Sequence, residues 1–210
     1  MKSNQIESKG ILSKLLEKAL KILLRKECKV IKNIQINISS SNHEIIKGEI
    51  NEMKISAEEV NYKELLFNRI ELQTEKLTIN FQVKNKKLSF KENFHVKLKI
   101  TLTSDSLQKI LTSQNWGWLG CLITEKLLEL SYLSDLKIEN NILELKGSDK
   151  KRHTYKTELI KIESKEGKIH LKNINNIHSV IIPIEDKIYI NSIKIENNQI
   201  NINAHSKINI

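Results

Sequence analysis

Histidine and cysteine are the residues of this chain readiest for chemistry, and their spacing supports none. His43, His95, His153, His170, His178 and His205 form no HxH or HxxxH pair, and none stands at ligand spacing from Cys28 or Cys121. A protein zinc site needs three or four such donors converging on one point. The chain also lacks a GxSxG elbow, a GxGxxG turn and a phosphate-cradling glycine loop. Its carboxylates are interleaved with lysines, as on a solvated face. The expectation is therefore no catalytic residue, no metal, no cofactor and no enzyme. Cys28 and Cys121 read either as a distant pair or as two separate buried thiols.

Binding chemistry is better represented. The chain is only 5% aromatic, yet both of its tryptophans fall in "SQNWGWLGC", with Gly117 between them and Gly120 just after. Two readings follow. Trp116 and Trp118 fill a gap between two helices as core anchors. Alternatively, they form an exposed wedge at a bilayer interface, with Leu119 as its apolar tip. Net charge is +10, which favours anionic partners such as acidic headgroups. Two basic stretches, "VKNKKLSFK" with Lys86 and Lys87 and "GSDKKRHTYK" with Lys150, Lys151 and Arg152, are candidates to hold phosphate-bearing headgroups. The plainer reading is that lysine keeps these loops soluble. Nucleic acid is not expected, because stacking aromatics are nearly absent from the basic stretches, where Tyr155 and Phe90 stand almost alone.

The elements that would position these residues begin with a helix over roughly 8–27, "ILSKLLEKALKILLRKE" at its centre. At ~100° per residue its apolar side chains span about 220°, more than a helix lying on a flat sheet can cover. Leu12, Leu16, Leu20 and Leu23 are the candidates for an apolar groove on this helix, with plain core packing as the alternative. The period then changes to two. "VIKNIQINIS", "RIELQTEKLTINF" and "FHVKLKITLT" alternate, the mark of an antiparallel sheet with one buried face. A helical interlude follows, opened by Asp105 and Gln108 at capping-box spacing and continued by a second helix over roughly 119–132.

Strands resume after it. "LKIENNILELKG" (136–147) and "IKIENNQININA" (193–204) repeat one pattern of strand, Asn-Asn turn and strand, and "IQINISSSNHEIIKG" (34–48) is a looser third copy. Pro183 is placed at an edge or strand end. The order of elements gives an α+β fold, a strongly curved antiparallel sheet wrapped around the long N-terminal helix with two short helices mid-chain. No Pro- or Gly-rich linker divides it, so residues 1–210 read as one domain. No signal peptide and no transmembrane run is visible, which sets the expected address as cytoplasmic, with a peripheral membrane seat as the variant.

The leading helix, the strand and polar turn after it, and the residues Gly48, Ser56–Ala57 and Tyr62 resemble the LmeA-like phospholipid-binding family, in particular its cyanobacterial branch. The strand-to-helix run "ITLTSDSLQKIL" and the closing "IKIENNQININA" hairpin are similar too, so the resemblance spans nearly the whole chain. It implies a non-enzymatic protein that binds phospholipid. The implied fold is similar to tubular lipid-binding proteins, a curved sheet holding a long helix and an apolar cavity. The family's namesake is exported, whereas this chain shows no export signal, so a membrane-peripheral role is the expectation. The family carries no ligand residues over to this sequence. The reading from another functional class is a structural or protein-interaction module with a fully packed core and no ligand.

Overall fold

The alternating segments do become strands, and the apolar-periodic segments become helices. The structure, a computed structural model, describes residues 10–82, 87–149 and 153–210. In chain order the elements are α1 (Ile11–Glu27), β1 (Val30–Ser39), α2 (Asn42–Lys47), β2 (Glu49–Tyr62), β3 (Leu65–Gln82), β4 (Lys87–Phe90), β5 (Phe94–Thr103), α3 (Ser104–Leu111) and α4 (Gly117–Leu128). The C-terminal part adds β6 (Tyr132–Glu139), β7 (Ile142–Asp149), β8 (Thr154–Lys165), β9 (Lys168–Asn173), β10 (Ser179–Ile182), β11 (Ile188–Glu196) and β12 (Gln199–Ile208).

The fold is α+β with antiparallel pairing throughout, but it holds two sheets where one was expected. The first runs β1-β2-β3-β5-β12-β11, with β4 on the end of β3; the second runs β10-β9-β8-β7-β6. Both orders are open. The long crossing from β5 to its neighbour β12 passes through both mid-chain helices, the whole second sheet and β11. The sheets meet where Ile190 of β11 reaches the β8–β9 hairpin. The Ile190 N–H donates to Gly167 O at 2.9 Å, and the Ser164 hydroxyl donates to Ile190 O at 2.7 Å.

No sheet curls around α1. The helix lies over β1, burying Ser13, Leu16 and Leu20 against Ile34, Ile36 and Ile38 and against the inner face of β2. Its opposite side stays in solvent, so the apolar arc is left partly open rather than wrapped. A second, larger cluster fills the space between the two sheets, with α3 and α4 inside it.

Local chemistry explains the other departures. "SNHEIIKG" forms the short helix α2 instead of the turn and strand of a third hairpin. Ser41 and Glu44 cap it reciprocally, and Gly48 closes it in the left-handed region at φ 84°. The mid-chain helix starts one step earlier than Asp105. Thr103 is its N-cap, its hydroxyl accepting from the Ser106 N–H at 3.3 Å. α4 begins at Gly117 and ends at Leu128, where Glu129 turns left-handed at φ 60° and releases Tyr132 into β6. The two Asn-Asn turns form as expected, with Asn140, Asn141, Asn197 and Asn198 all at positive φ. β10, an edge strand, stops immediately before Pro183.

Candidate ligand-binding cavity

The space between the two sheets is not completely filled. A cavity of about 120 Å³ remains, bounded by three walls. Leu107 and Leu111 of α3 and Leu119 and Ile123 of α4 form the roof. Leu136, Leu143, Leu145 and Leu171 come from the second sheet, and Ile193, Ile200 and Ile202 from the β11–β12 hairpin of the first. All fifteen lining residues are Leu or Ile, so the cavity has no group that could orient a polar ligand or move a proton. What it can do is shelter hydrocarbon from water.

Glycine sets the tightness of the roof. A Cβ on Gly120 would lie 2.2 Å from Leu111 O, so only glycine lets α4 approach α3 this closely. At Gly147 a Cβ would meet Thr124 Cγ2 at 2.8 Å and Leu128 Cδ2 at 3.0 Å, which is how α4 lies down on β7. Gly117 meets nothing nearer than 4.0 Å. Its role is at the start of α4, where its N–H donates to Ser113 O at 2.8 Å.

The tryptophan corner is the connection between α3 and α4, and it splits the pair. Trp116 is half-buried against the central cluster, and its Nε1 donates to Lys63 O at 2.9 Å. The Asn115 N–H donates to Glu64 Oε2 at 2.8 Å beside it. Both anchor points lie on the β2–β3 turn, where Lys63 and Glu64 have positive φ. Trp118 points the other way and is 52% exposed. The two rings thus sit in different environments, one half-buried and one exposed.

The remaining candidates divide between the cavity and other parts of the fold. Leu119 lines it. Leu16 and Leu20 are buried in the α1–β1–β2 cluster, Leu12 is half-buried beside it, and Leu23 is 46% exposed; none of the four borders the cavity. Lys86, Lys150, Lys151 and Arg152 lie outside the described residues, and so does the side chain of Lys87. Cys28 and Cys121 are free thiols, the first half-buried and the second exposed; burial, then the charge of Glu27, pushes the Cys28 thiol pKa up. The hairpin residues Leu143, Leu145, Ile193 and Ile200 line the cavity without being among the sequence candidates. Their signal was present: the repeated pattern puts apolar side chains on one face of both hairpins.

The LmeA-like phospholipid-binding family model matches residues 8–205. The chain belongs to this family. No curated protein and no solved structure matches it. The resemblance drawn from the leading helix and the closing hairpin is thus correct at the level of the family. Among the described residues, no helix is long and apolar enough to cross a membrane.

Proposed function

We propose that the protein binds phospholipid non-covalently, without catalysis, at the periphery of a membrane, with residues 1–210 acting as one lipid-binding unit. The observation that carries this reading is the Leu/Ile cavity beneath α3 and α4 in a chain of the LmeA-like family. Acyl chain enters this cavity, and the headgroup stays outside with the basic residues. The curved, helix-wrapping sheet implied by the resemblance is not needed for it; the space between two sheets serves the same purpose.

Size limits what the cavity holds as it stands. An apolar cavity of about 150 Å³ takes a benzene-sized ligand. The 120 Å³ here therefore matches a short stretch of one chain, roughly five carbons by that ratio. Burying five methylenes yields about 4 kcal/mol, against the ~8 kcal/mol of micromolar affinity. A full chain needs more room, and the roof is the wall able to supply it. Among the described residues, the polar ties of α3 and α4 to the sheets are few: the Thr103–Ser106 bonds where α3 leaves β5, the Ile138 N–H to Ser104 Oγ bond at 2.9 Å, the bonds of the corner to the β2–β3 turn, and Glu129 facing His178 at 3.8 Å. Swinging that hairpin outward lengthens the cavity without breaking a ladder.

The small volume also favours the other reading, a packed structural or protein-interaction module, because ligand pockets commonly run to about 300 Å³ or more. One experiment decides. The wild-type protein is expected to carry phospholipid in native mass spectrometry and to bind a fluorescent phospholipid. Leu107→Trp, which fills the cavity from the roof, is expected to bind neither while keeping its circular dichroism. Equal lipid binding by wild type and variant removes the cavity reading, and no binding by either leaves the packed module.

A further inference from the structure

One face of α1 packs against no other described residue of the core clusters. At about 100° per residue, Ile11, Leu15 and Ile22 fall within roughly 40° of one another, opposite the buried Ser13, Leu16 and Leu20. They are 75%, 36% and 51% exposed. Leu23 is also exposed, but by the same count it stands next to the buried Leu16, apart from the row. A row of exposed large aliphatics on one helix calls for a partner.

The charges around the row identify that partner. Lys14, Lys18 and Arg25 stand on one side of it and Lys26 on the other, all four exposed. The two acidic residues of α1 are elsewhere. Glu17 is turned toward β1, where its Oε1 accepts from the Ile38 N–H at 3.1 Å. Glu27 falls on the side of the buried leucines. An apolar stripe bordered only by long cationic side chains fits the headgroup–acyl boundary of an anionic bilayer, since Lys and Arg stems lie along hydrocarbon while their heads reach phosphate. The row is convex, as on any helix, and cations stand along it between its aliphatic side chains, which suits a charged surface better than the groove of a protein partner. We infer that the outward face of α1 docks on an anionic bilayer, with Ile11, Leu15 and Ile22 in the boundary layer and Lys14, Lys18, Arg25 and Lys26 on lipid phosphates. The inference rests on the phospholipid reading above, because a protein that takes up phospholipid must meet a bilayer. It assigns the contact to α1 rather than to the tryptophan corner.

The test uses the full chain and sedimentation with vesicles of phosphatidylcholine and phosphatidylserine in equal parts, against pure phosphatidylcholine. Each well-placed cation contributes about fivefold to partition onto an anionic surface. The wild type is expected to bind the mixed vesicles at least tenfold better than the neutral ones, and to lose that preference at high salt. The double variant Ile11→Gln, Ile22→Gln is expected to lose at least tenfold on mixed vesicles with an unchanged melting temperature, since both side chains are exposed. Lys18→Glu with Arg25→Glu is expected to bind mixed vesicles no better than neutral ones. Fluorescent phospholipid offered in detergent micelles is expected to load all of these alike. Lost loading in Leu107→Trp with vesicle binding intact therefore bears on the cavity and not on α1. Wild-type vesicle binding by both α1 variants overturns the inference. So does a wild-type dimer that the Ile11→Gln, Ile22→Gln variant converts to monomer with vesicle binding unchanged, because the face then belongs to a second copy of the chain.

Discussion

Asn141 and Asn198 hold each other's turns. The Asn141 N–H donates to Asn198 Oδ1 at 3.4 Å, and the Asn198 N–H donates to Asn141 Oδ1 at 3.3 Å. The residues occupy the same place in the two copies of the repeated hairpin, one copy in each sheet. Two residues beyond each turn, Leu143 and Ile200 line the cavity. The reciprocal pair thus pins together the hairpin tips at one end of the proposed lipid site.

Replacing both asparagines with glycine keeps the positive φ that the turns need and removes both side-chain acceptors. Because the contacts are exposed and long, the double variant is expected to lose about 1 kcal/mol of stability or less. A double-mutant cycle by urea denaturation is expected to show coupling between the two positions, since each single change removes one half of a reciprocal pair. Strict additivity would show that the tips are not joined in solution. The same variant is expected to take up fluorescent phospholipid faster than wild type in stopped-flow measurements.

The two glycines of the tryptophan corner are expected to differ sharply. Gly120→Ala drives a Cβ into Leu111 O, a backbone atom that moves only if α3 moves. The cost expected is about 1–3 kcal/mol, the range for overpacking. Gly117→Ala meets open space at a helical position and is expected to be neutral or to stabilise by up to about 1 kcal/mol. Thermal denaturation of the two single variants checks both signs at once.

Trp116→Ala is expected to cost about 2–3 kcal/mol, below the range for a fully buried ring, and to free the corner from the β2–β3 turn. Trp118→Ala is expected to change stability by less than about 0.5 kcal/mol. Single-tryptophan variants, each with Phe at the other position, separate the two rings spectroscopically. The one keeping Trp116 is expected to emit toward the blue in buffer, and the one keeping Trp118 toward the red. If both emit alike, the split between anchor and exposed ring is wrong.

Much of this arrangement was legible in the sequence, and the physical reasons are specific. The Asn-Asn turns were readable because positive φ at both central positions is a local demand that asparagine meets on its own. The clean alternation of β5 was readable because its neighbours β3 and β12 leave one face wet. The short helix α2 is hard to read because "HEIIKG" has a strand-like composition, which the Ser41–Glu44 capping box overrides. The wide apolar arc of α1 points to a groove on that helix. The arc does not reveal which side meets the sheet. Leu16 and Leu20 turned inward, while Ile11 and Ile22, equally apolar, faced out. The cavity itself lies between residues as distant as Leu102 and Ile202, and no local period records such a meeting.

The capping box of α2 makes a prediction in which the sign depends on pH. The Glu44 carboxylate accepts from the Ser41 N–H at 2.7 Å and from Asn51 Nδ2 at 2.8 Å. These bonds, the Ser41 backbone contact first, hold its pKa below the usual carboxylate value. A depressed folded-state pKa contributes stability that is present above the unfolded value, about 4.3 for Glu, and is lost as pH falls through the folded value. Ser41→Ala is expected to cost about 1 kcal/mol at pH 7, the usual worth of an N-cap hydroxyl. Glu44→Gln keeps a hydrogen-bond acceptor but cannot ionise. It is therefore expected to be less stable than wild type at neutral pH, with a smaller gap at pH 3. Urea denaturation of wild type and Glu44→Gln at the two pH values tests this. A stability gap that stays constant, or widens as the pH drops, would show that the charge on Glu44 does not stabilise the helix and that the cap works through the Ser41 hydroxyl alone.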